Sequence, residues 1–198
     1  MARKYEMKRR AQRMQETRRR ITEAAVELHQ TVGPARTTVS AIAEKAGVQR
    51  HTYYAHFPEL RDLYTACTGH YAAEHPPPDH SSWAEVADHE ERLRRALSEV
   101  YVYYGRHEEI FANVLRDAEV DALCAEFTHP VFQNWKRTWS NAVAEGWDTE
   151  GERGEALLAA IGFALDFQTW RTLVRQQELS RDRAVELMVG MVRCLMRT

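Results

Sequence analysis

The sequence has little of what usually staples or interrupts a fold. Its three cysteines, Cys67, Cys124 and Cys194, lie far apart and in no CxxC or Cys/His spacing. So sparse and odd a set excludes a disulfide framework and fits inert thiols in a reducing compartment. Glycine and proline are scarce, 9 and 6 in 198 residues, which excludes collagen-like and low-complexity readings. No apolar run approaches the ~18 residues of a membrane span. The N-terminus is charged from Arg3 onward and has no apolar leader, so a cytoplasmic protein with no membrane partner is expected. There is no GxSxG, no P-loop and no GxGxxG after a strand, so no catalytic residue, no cofactor and no enzymatic activity are expected. The alternation of period two that marks strands is missing too.

What is there is charge, unevenly placed, and helical periodicity. Residues 1–20 carry nine Lys/Arg against two Glu. Residues 1–75 carry 13 basic and 8 acidic side chains, whereas residues 76–198 carry 14 and 21. A basic head on an acidic body suits a protein that meets a polyanion at one end, although a solvated tail would give the same count. The break falls at His75-Pro-Pro-Pro-Asp-His, where three prolines forbid a continuous helix, so domains are expected at 1–75 and 76–198. Ile21, Ala24, Ala25 and Leu28 repeat at i, i+3, i+4, i+7, as do Ala184, Leu187, Met188, Met191, Val192 and Leu195. Leu157 to Leu173 is nearly continuous and apolar, and reads as one buried helix. The class is all-α.

Residues 37–57 hold the most informative local pattern. Thr37 or Thr38 can cap a short helix whose inner face is Val39, Ile42 and Ala43. Gly47 stands where that helix must turn, and a second short helix runs from near Gln49 to near His56. Two short helices joined by a tight glycine turn make a helix-turn-helix, with a motif over about 38–57. Taken alone, Ala46-Gly47-Val48 fits an ordinary corner between two bundle helices better than a helix-turn-helix. The second helix of such a motif presents its first residues to base edges; here these are Gln49, Arg50, His51, Thr52 and Tyr53.

The wider stretch from Arg20 to Tyr64 resembles the DNA-binding domain of tetracycline-repressor-like (TetR) transcriptional regulators. The matching residues are Ile21, Ala24, Ala25, Leu28, Gly33, Thr37, Thr38, Ile42, Ala43, Ala46-Gly47-Val48, Tyr54, His56-Phe57, Asp62 and Leu63. The resemblance implies an N-terminal three-helix domain on a larger helical body, a homodimer, a double-stranded DNA operator and a small-molecule effector. It implies phosphate contacts from Thr38, Tyr54 and His56, and base contacts from Gln49, Arg50, His51 and Thr52 with Tyr53 beside them. The segment Arg3 to Arg20 would lie on the DNA backbone or in the minor groove. This chain departs from the family pattern at His51, where a small residue is usual; at Leu60, where a lysine is usual and Arg61 is a possible substitute; and at His29, where an aromatic is usual and a neutral core histidine is expected.

The body is rich in aromatics, which fit a plain core as well as a pocket. The family implication of a ligand cavity selects Tyr103, Phe111, Trp135, Trp139, Phe163, Asp166, Phe167 and Trp170, with Asn134, Asn141 and Gln168 as further polar members. Phe163, Phe167 and Trp170 stand at i, i+4, i+7, and a buried Asp166 would favour a cationic or hydrogen-bond-donating ligand. His75, His80, His89, Asp79 and Asp88 flank the prolines without helical metal spacing, so no metal site is assigned. The last two helices, about 153–178 and 181–196, carry wide apolar stripes. The resemblance implies that they form the dimer seam, with Leu165 and Met188 as candidate seam residues; packing within the subunit is the alternative. The competing reading of the whole is an architectural DNA-binding protein whose body only dimerises.

Overall fold

A computed structural model describes residues 2–197, with side chains for residues 5–195; the side chain of Arg3 thus lies outside the described residues. The elements are α1 (Ala2–Thr31), a 3-10 turn (Pro34–Arg36), α2 (Val39–Lys45), α3 (Arg50–His56), α4 (Leu60–Glu74) and a 3-10 turn (His80–Trp83). Then come α5 (His89–Arg106), α6 (Glu108–Ala118), α7 (Ala122–Ala144), α8 (Gly151–Ala164), α9 (Phe167–Arg171), a π turn (Thr172–Gln176) and α10 (Arg181–Arg197). Among the described residues there is no strand, and the class is all-α. The chain forms two compact units, residues 1–76 with 109–129, and residues 77–108 with 130–198. One boundary falls among the prolines and another at Pro130, inside α7.

In the first unit α1 packs against α2 and α4. Its core is Ile21, Ala24, Ala25, Ile42, Ala46, Tyr53, Phe57, Leu63 and Cys67, with Leu28, Val39 and Val48 packed around it. These are largely the periodic apolar positions of the sequence, so burial follows the 3.6-residue repeat. Gly33, at φ 95°, ends α1; the Arg116 and Asp117 side chains crowd the space a Cβ would need. Asp117 is buried and its carboxylate accepts the Ala35 N–H at 2.9 Å. Arg116 donates to the Val32 carbonyl at 3.1 Å and Asn113 to the Gln30 carbonyl at 2.6 Å. Three side chains of α6 thus satisfy backbone groups from the end of α1 to the 3-10 turn that follows it.

In the second unit α10 packs against α5 and α8. The sequence pattern predicts one helix through Leu157–Leu173, and the structure corrects this. α8 stops at Ala164, and the Asp166 carboxylate caps α9 by accepting the Gln168 N–H at 2.9 Å. A short acidic side chain that can bond nearby backbone competes with helix continuation, so an apolar run alone does not disclose the break. Two tyrosines of α5 complete it: Tyr101 donates to the Ala164 carbonyl at 2.9 Å and Tyr104 to the Leu165 carbonyl at 2.8 Å. No described helix is long and apolar enough to cross a membrane.

Candidate nucleic-acid interface

Thr38, rather than Thr37, is the N-cap of α2, and its hydroxyl oxygen accepts the Ala41 N–H at 3.2 Å. Thr38 remains exposed, so its own O–H can still reach an acceptor outside the protein. Gly47 carries φ 65°, which lets the chain leave α2 and start α3 three residues later. Val48 donates back to the Ala43 carbonyl at 2.9 Å and holds the turn closed.

Gln49 takes the N-cap position of α3 but makes no side-chain cap bond, so its amide is left for an external partner. Arg50 and His51 are exposed on the first turn and Thr52 is half-buried, with its hydroxyl 3.3 Å from His51 Nε2. One helical turn thus offers an amide, a guanidinium, an imidazole and a hydroxyl. That is the donor and acceptor range that base edges require.

Tyr53 does not belong with them, and here the sequence expectation is corrected. It is 1% exposed, packed at 5.9 Å against Phe57, and burial raises its phenol to about 12. Tyr53 and Phe57 are four residues apart on the core side of α3. Tyr54, one step round the helix, is 46% exposed and meets the Tyr53 ring edge-on at 5.3 Å. His56 is half-buried at the C-terminal end of α3.

Two arginines of the expected DNA-facing arm instead hold the motif together. Arg20 donates to the Ala46 carbonyl, and to the Gly47 carbonyl at 3.4 Å, so it caps the C-terminal end of α2. Arg18 donates to the His56 carbonyl and lies over the Phe57 ring at 4.0 Å, which caps α3 in the same way. Cations at helix C-termini meet both the open carbonyls and the negative end of the dipole. Arg19 pairs with Glu16 and Glu23. No local sequence signal marks these roles, because the partners lie 26 and 38 residues away.

Arg61, the possible substitute for the usual lysine, is engaged within its own unit. It forms a bidentate pair with Glu126, at 2.8 Å on one arm, and lies over Phe127. Leu60 beside it is exposed at the start of α4. His29 is buried and neutral: loss of solvent pulls its pKa down to about 4, against the opposing charge of Asp117.

The body residues do not converge on one cavity. Tyr103, Trp135, Trp139, Phe167 and Trp170 pack within one aromatic cluster, with Trp135 and Trp139 stacked at 5.7 Å and Phe167 and Trp170 tilted against each other at 5.5 Å. Phe111 sits in the first unit, 6.3 Å from the Tyr71 ring. Phe163 is 57% exposed, because the break at Asp166 takes it off the face of Phe167 and Trp170. Asp166 is a cap, and it pairs with Lys136 at 3.2 Å rather than standing buried and alone. Phe163 and Asp166 line an open groove of about 910 Å³, shared with Ser140, Gln168, Met188 and Met191. Among the described residues no cluster of His, Cys, Asp and Glu could hold a metal.

A three-helix core that displays one polar helix turn, capped and locked from behind, defines the class: a helix-turn-helix DNA-binding regulator. Residues 21–67 match the family model of bacterial regulatory proteins of the tetR family. The whole chain resembles solved structures in fold. A tetR-family transcriptional regulator from Streptomyces coelicolor aligns with TM-score 0.63 and 19% identity over 92% of this chain and 81% of that one. The transcriptional regulator FadR from Bacillus subtilis, in complex with stearoyl-CoA, aligns with TM-score 0.61 and 17% identity over 87% and 96%. A TetR-like transcriptional regulator from Rhodococcus sp. RHA1 aligns with TM-score 0.58 and 21% identity over 89% and 93%. No curated protein matches the chain in sequence. Residues 21–67 are thus similar to the DNA-binding domain of the tetR family of bacterial regulatory proteins.

Proposed function

We propose that this regulator is a ligand-responsive repressor that binds a palindromic operator as a homodimer. The observation that carries the reading is the exposed row Gln49, Arg50 and His51, with half-buried Thr52 beside it, on a helix whose other side is buried through Tyr53 and Phe57. Thr38, Tyr54 and His56 flank that row and serve as phosphate contacts, which set register without reading sequence.

Dimerisation is supported by an apolar stripe on α10, Leu187, Met191 and Leu195 at i, i+4, i+8, all exposed, with Phe163 exposed on α8. A two-fold interface uses one patch twice, and two recognition helices related in that way read an inverted repeat. Met188 and Leu165, the seam residues expected from the sequence, are both buried within the subunit, so the exposed stripe replaces them.

A small apolar or aromatic effector is supported by the stearoyl-CoA of the Bacillus subtilis relative; the groove beside α8 and α10 shares Phe163, Leu187 and Met191 with the dimer stripe and goes to the partner subunit in this reading. The architectural reading draws on a specific observation as well: the central aromatics fill the space between them with one another. Selection from a random duplex library tests the DNA part. An enriched inverted repeat, with half-site centres about 34–36 Å apart or a multiple of it, is expected; a library with no enriched sequence refutes it. A compound screen read by tryptophan fluorescence tests the effector part. Compounds that bind without changing operator affinity favour the architectural protein.

A further inference from the structure

The backbone departs from a regular helix just after α9. Thr172–Gln176 forms a π turn, closed by the Gln177 N–H on the Thr172 carbonyl at 2.9 Å. Glu178 follows at φ 54°, and the Leu179 N–H reaches back to the Leu173 carbonyl at 3.0 Å. Among the described residues Glu178 is the one non-glycine residue with positive φ. A residue with a Cβ takes that conformation at a cost that glycine avoids. π turns and left-handed residues persist where the surrounding structure holds them, and they gather at ligand clamps and switches.

This turn carries Arg175. Its Nε and Nη2 both donate to Glu108 Oε2, each at 2.8 Å, and its guanidinium lies over the Trp170 ring, 5.5 Å from the centroid. All three residues belong to the second unit. Trp170 is buried against Phe167 and Tyr104, and Glu108 is the first residue of α6, so both receiving groups are fixed in place. Arg175 is the outermost of the three: its side chain is 51% exposed, against 24% for Glu108. An ion pair this exposed contributes little to stability, so the arginine can leave at small cost. It would leave a carboxylate beside the face of an indole. That pairing attracts a cation through charge, through N–H donors and through the ring quadrupole.

We propose that Glu108 and the Trp170 face form a binding site for a guanidinium or amidinium ligand, held closed by Arg175 as an internal stand-in. This rests on the effector reading of the body, and supplies the charged group that such an effector carries. The Nε–Nη2 edge of Arg175 shows the chemistry that fits: a flat cation with two N–H groups on one edge. A quaternary ammonium has no N–H to give Glu108. A neutral amide or urea lacks the charge on which both Glu108 and Trp170 act.

The probe is ethylguanidinium at millimolar concentrations, with ethylurea as its uncharged counterpart and tetramethylammonium as a cation without N–H groups. Tryptophan fluorescence of the full chain, without DNA, reads binding. Arg175→Ala and Arg175→Gln are expected to bind ethylguanidinium saturably and at least about ten-fold more tightly than wild type, where the ligand must first displace the tethered arginine. Both variants are expected to ignore ethylurea and to bind tetramethylammonium more weakly. Glu108→Gln added to Arg175→Ala is expected to abolish binding. The proposal is overturned if the Arg175 variants bind no ethylguanidinium, bind it no better than wild type, or bind it undiminished after Glu108→Gln. Equal binding of ethylurea or of tetramethylammonium overturns the ligand class. Loss of the fold in both Arg175 variants overturns the proposal too, since Arg175 is then a structural brace. A regulator whose operator affinity answers to no compound is a different failure, that of the effector reading, and the DNA-free titration is read apart from it.

Discussion

His29 links a buried titratable group to the stability of the DNA-binding unit with a sign that can be worked out. Its ring is buried 5.8 Å from the Tyr64 ring, and its pKa falls from 6.5 to about 4 because burial penalises the charged form. The unfolded chain therefore binds a proton near pH 6.5 while the folded one holds out to about pH 4. Between those values the unfolded state carries more protons, so stability rises with pH and falls as acid is added. Above pH 6.5 the histidine is neutral in both states and costs nothing; below pH 4 the loss is complete. Between pH 7.5 and 4.5 the loss from this one residue is about 2.5 kcal/mol. Urea midpoints at the two pH values, for wild type and His29→Phe, measure it. The aromatic replacement should keep the packing against Tyr64 and flatten the acid loss by about that amount, leaving only what other groups contribute. If the two proteins lose equal stability between pH 7.5 and 4.5, His29 is not held neutral by burial and the reasoning is wrong.

The two adjacent tyrosines of α3 should separate cleanly. Tyr54→Phe should weaken binding to all duplexes alike by about 1 kcal/mol, as removal of a phosphate hydrogen bond does, whereas Tyr53→Phe should leave affinity unchanged in the same titration. An equal loss for both would put Tyr53 in the interface. At the proposed seam, Leu187→Asp and Met191→Asp should give folded monomers by sedimentation with intact far-UV circular dichroism. Met188→Asp should instead destabilise the subunit, since it places a charge in a buried site. Dimers that persist in both exposed variants would place the interface elsewhere.

The first unit is legible in the sequence where its logic is local. Ile21, Ala24, Ala25 and Leu28 are core by periodicity, and Gly47 turns because the chain there needs φ 65°. The same rule places Tyr53 inside, since it stands four residues before Phe57 on the buried side. Other features depend on partners far along the chain and leave no local trace. Arg18 and Arg20 read as part of a basic tail until the fold sets the His56 and Ala46 carbonyls in front of them, and Arg61 reads as available until Glu126 meets it. The candidate ligand set fails for another reason. It needs an unbroken helical phase through Leu165 and Asp166, and one side-chain cap at Asp166 is enough to put Phe163 on the outside. An aspartate inside an apolar run is the available signal, and a cap is as good an explanation of it as a ligand group.

The central claim is that the first turn of α3 reads sequence, and Arg50 is its most direct probe. The affinity of wild type and Arg50→Ala should be compared, at one salt concentration, on a selected inverted repeat and on a scrambled duplex of the same length. Arg50→Ala should cost about 1–3 kcal/mol on the inverted repeat and much less on the scrambled duplex, so that specificity falls along with affinity. Equal losses on the two duplexes would make Arg50 a phosphate contact and contradict the account of α3 as the reading helix.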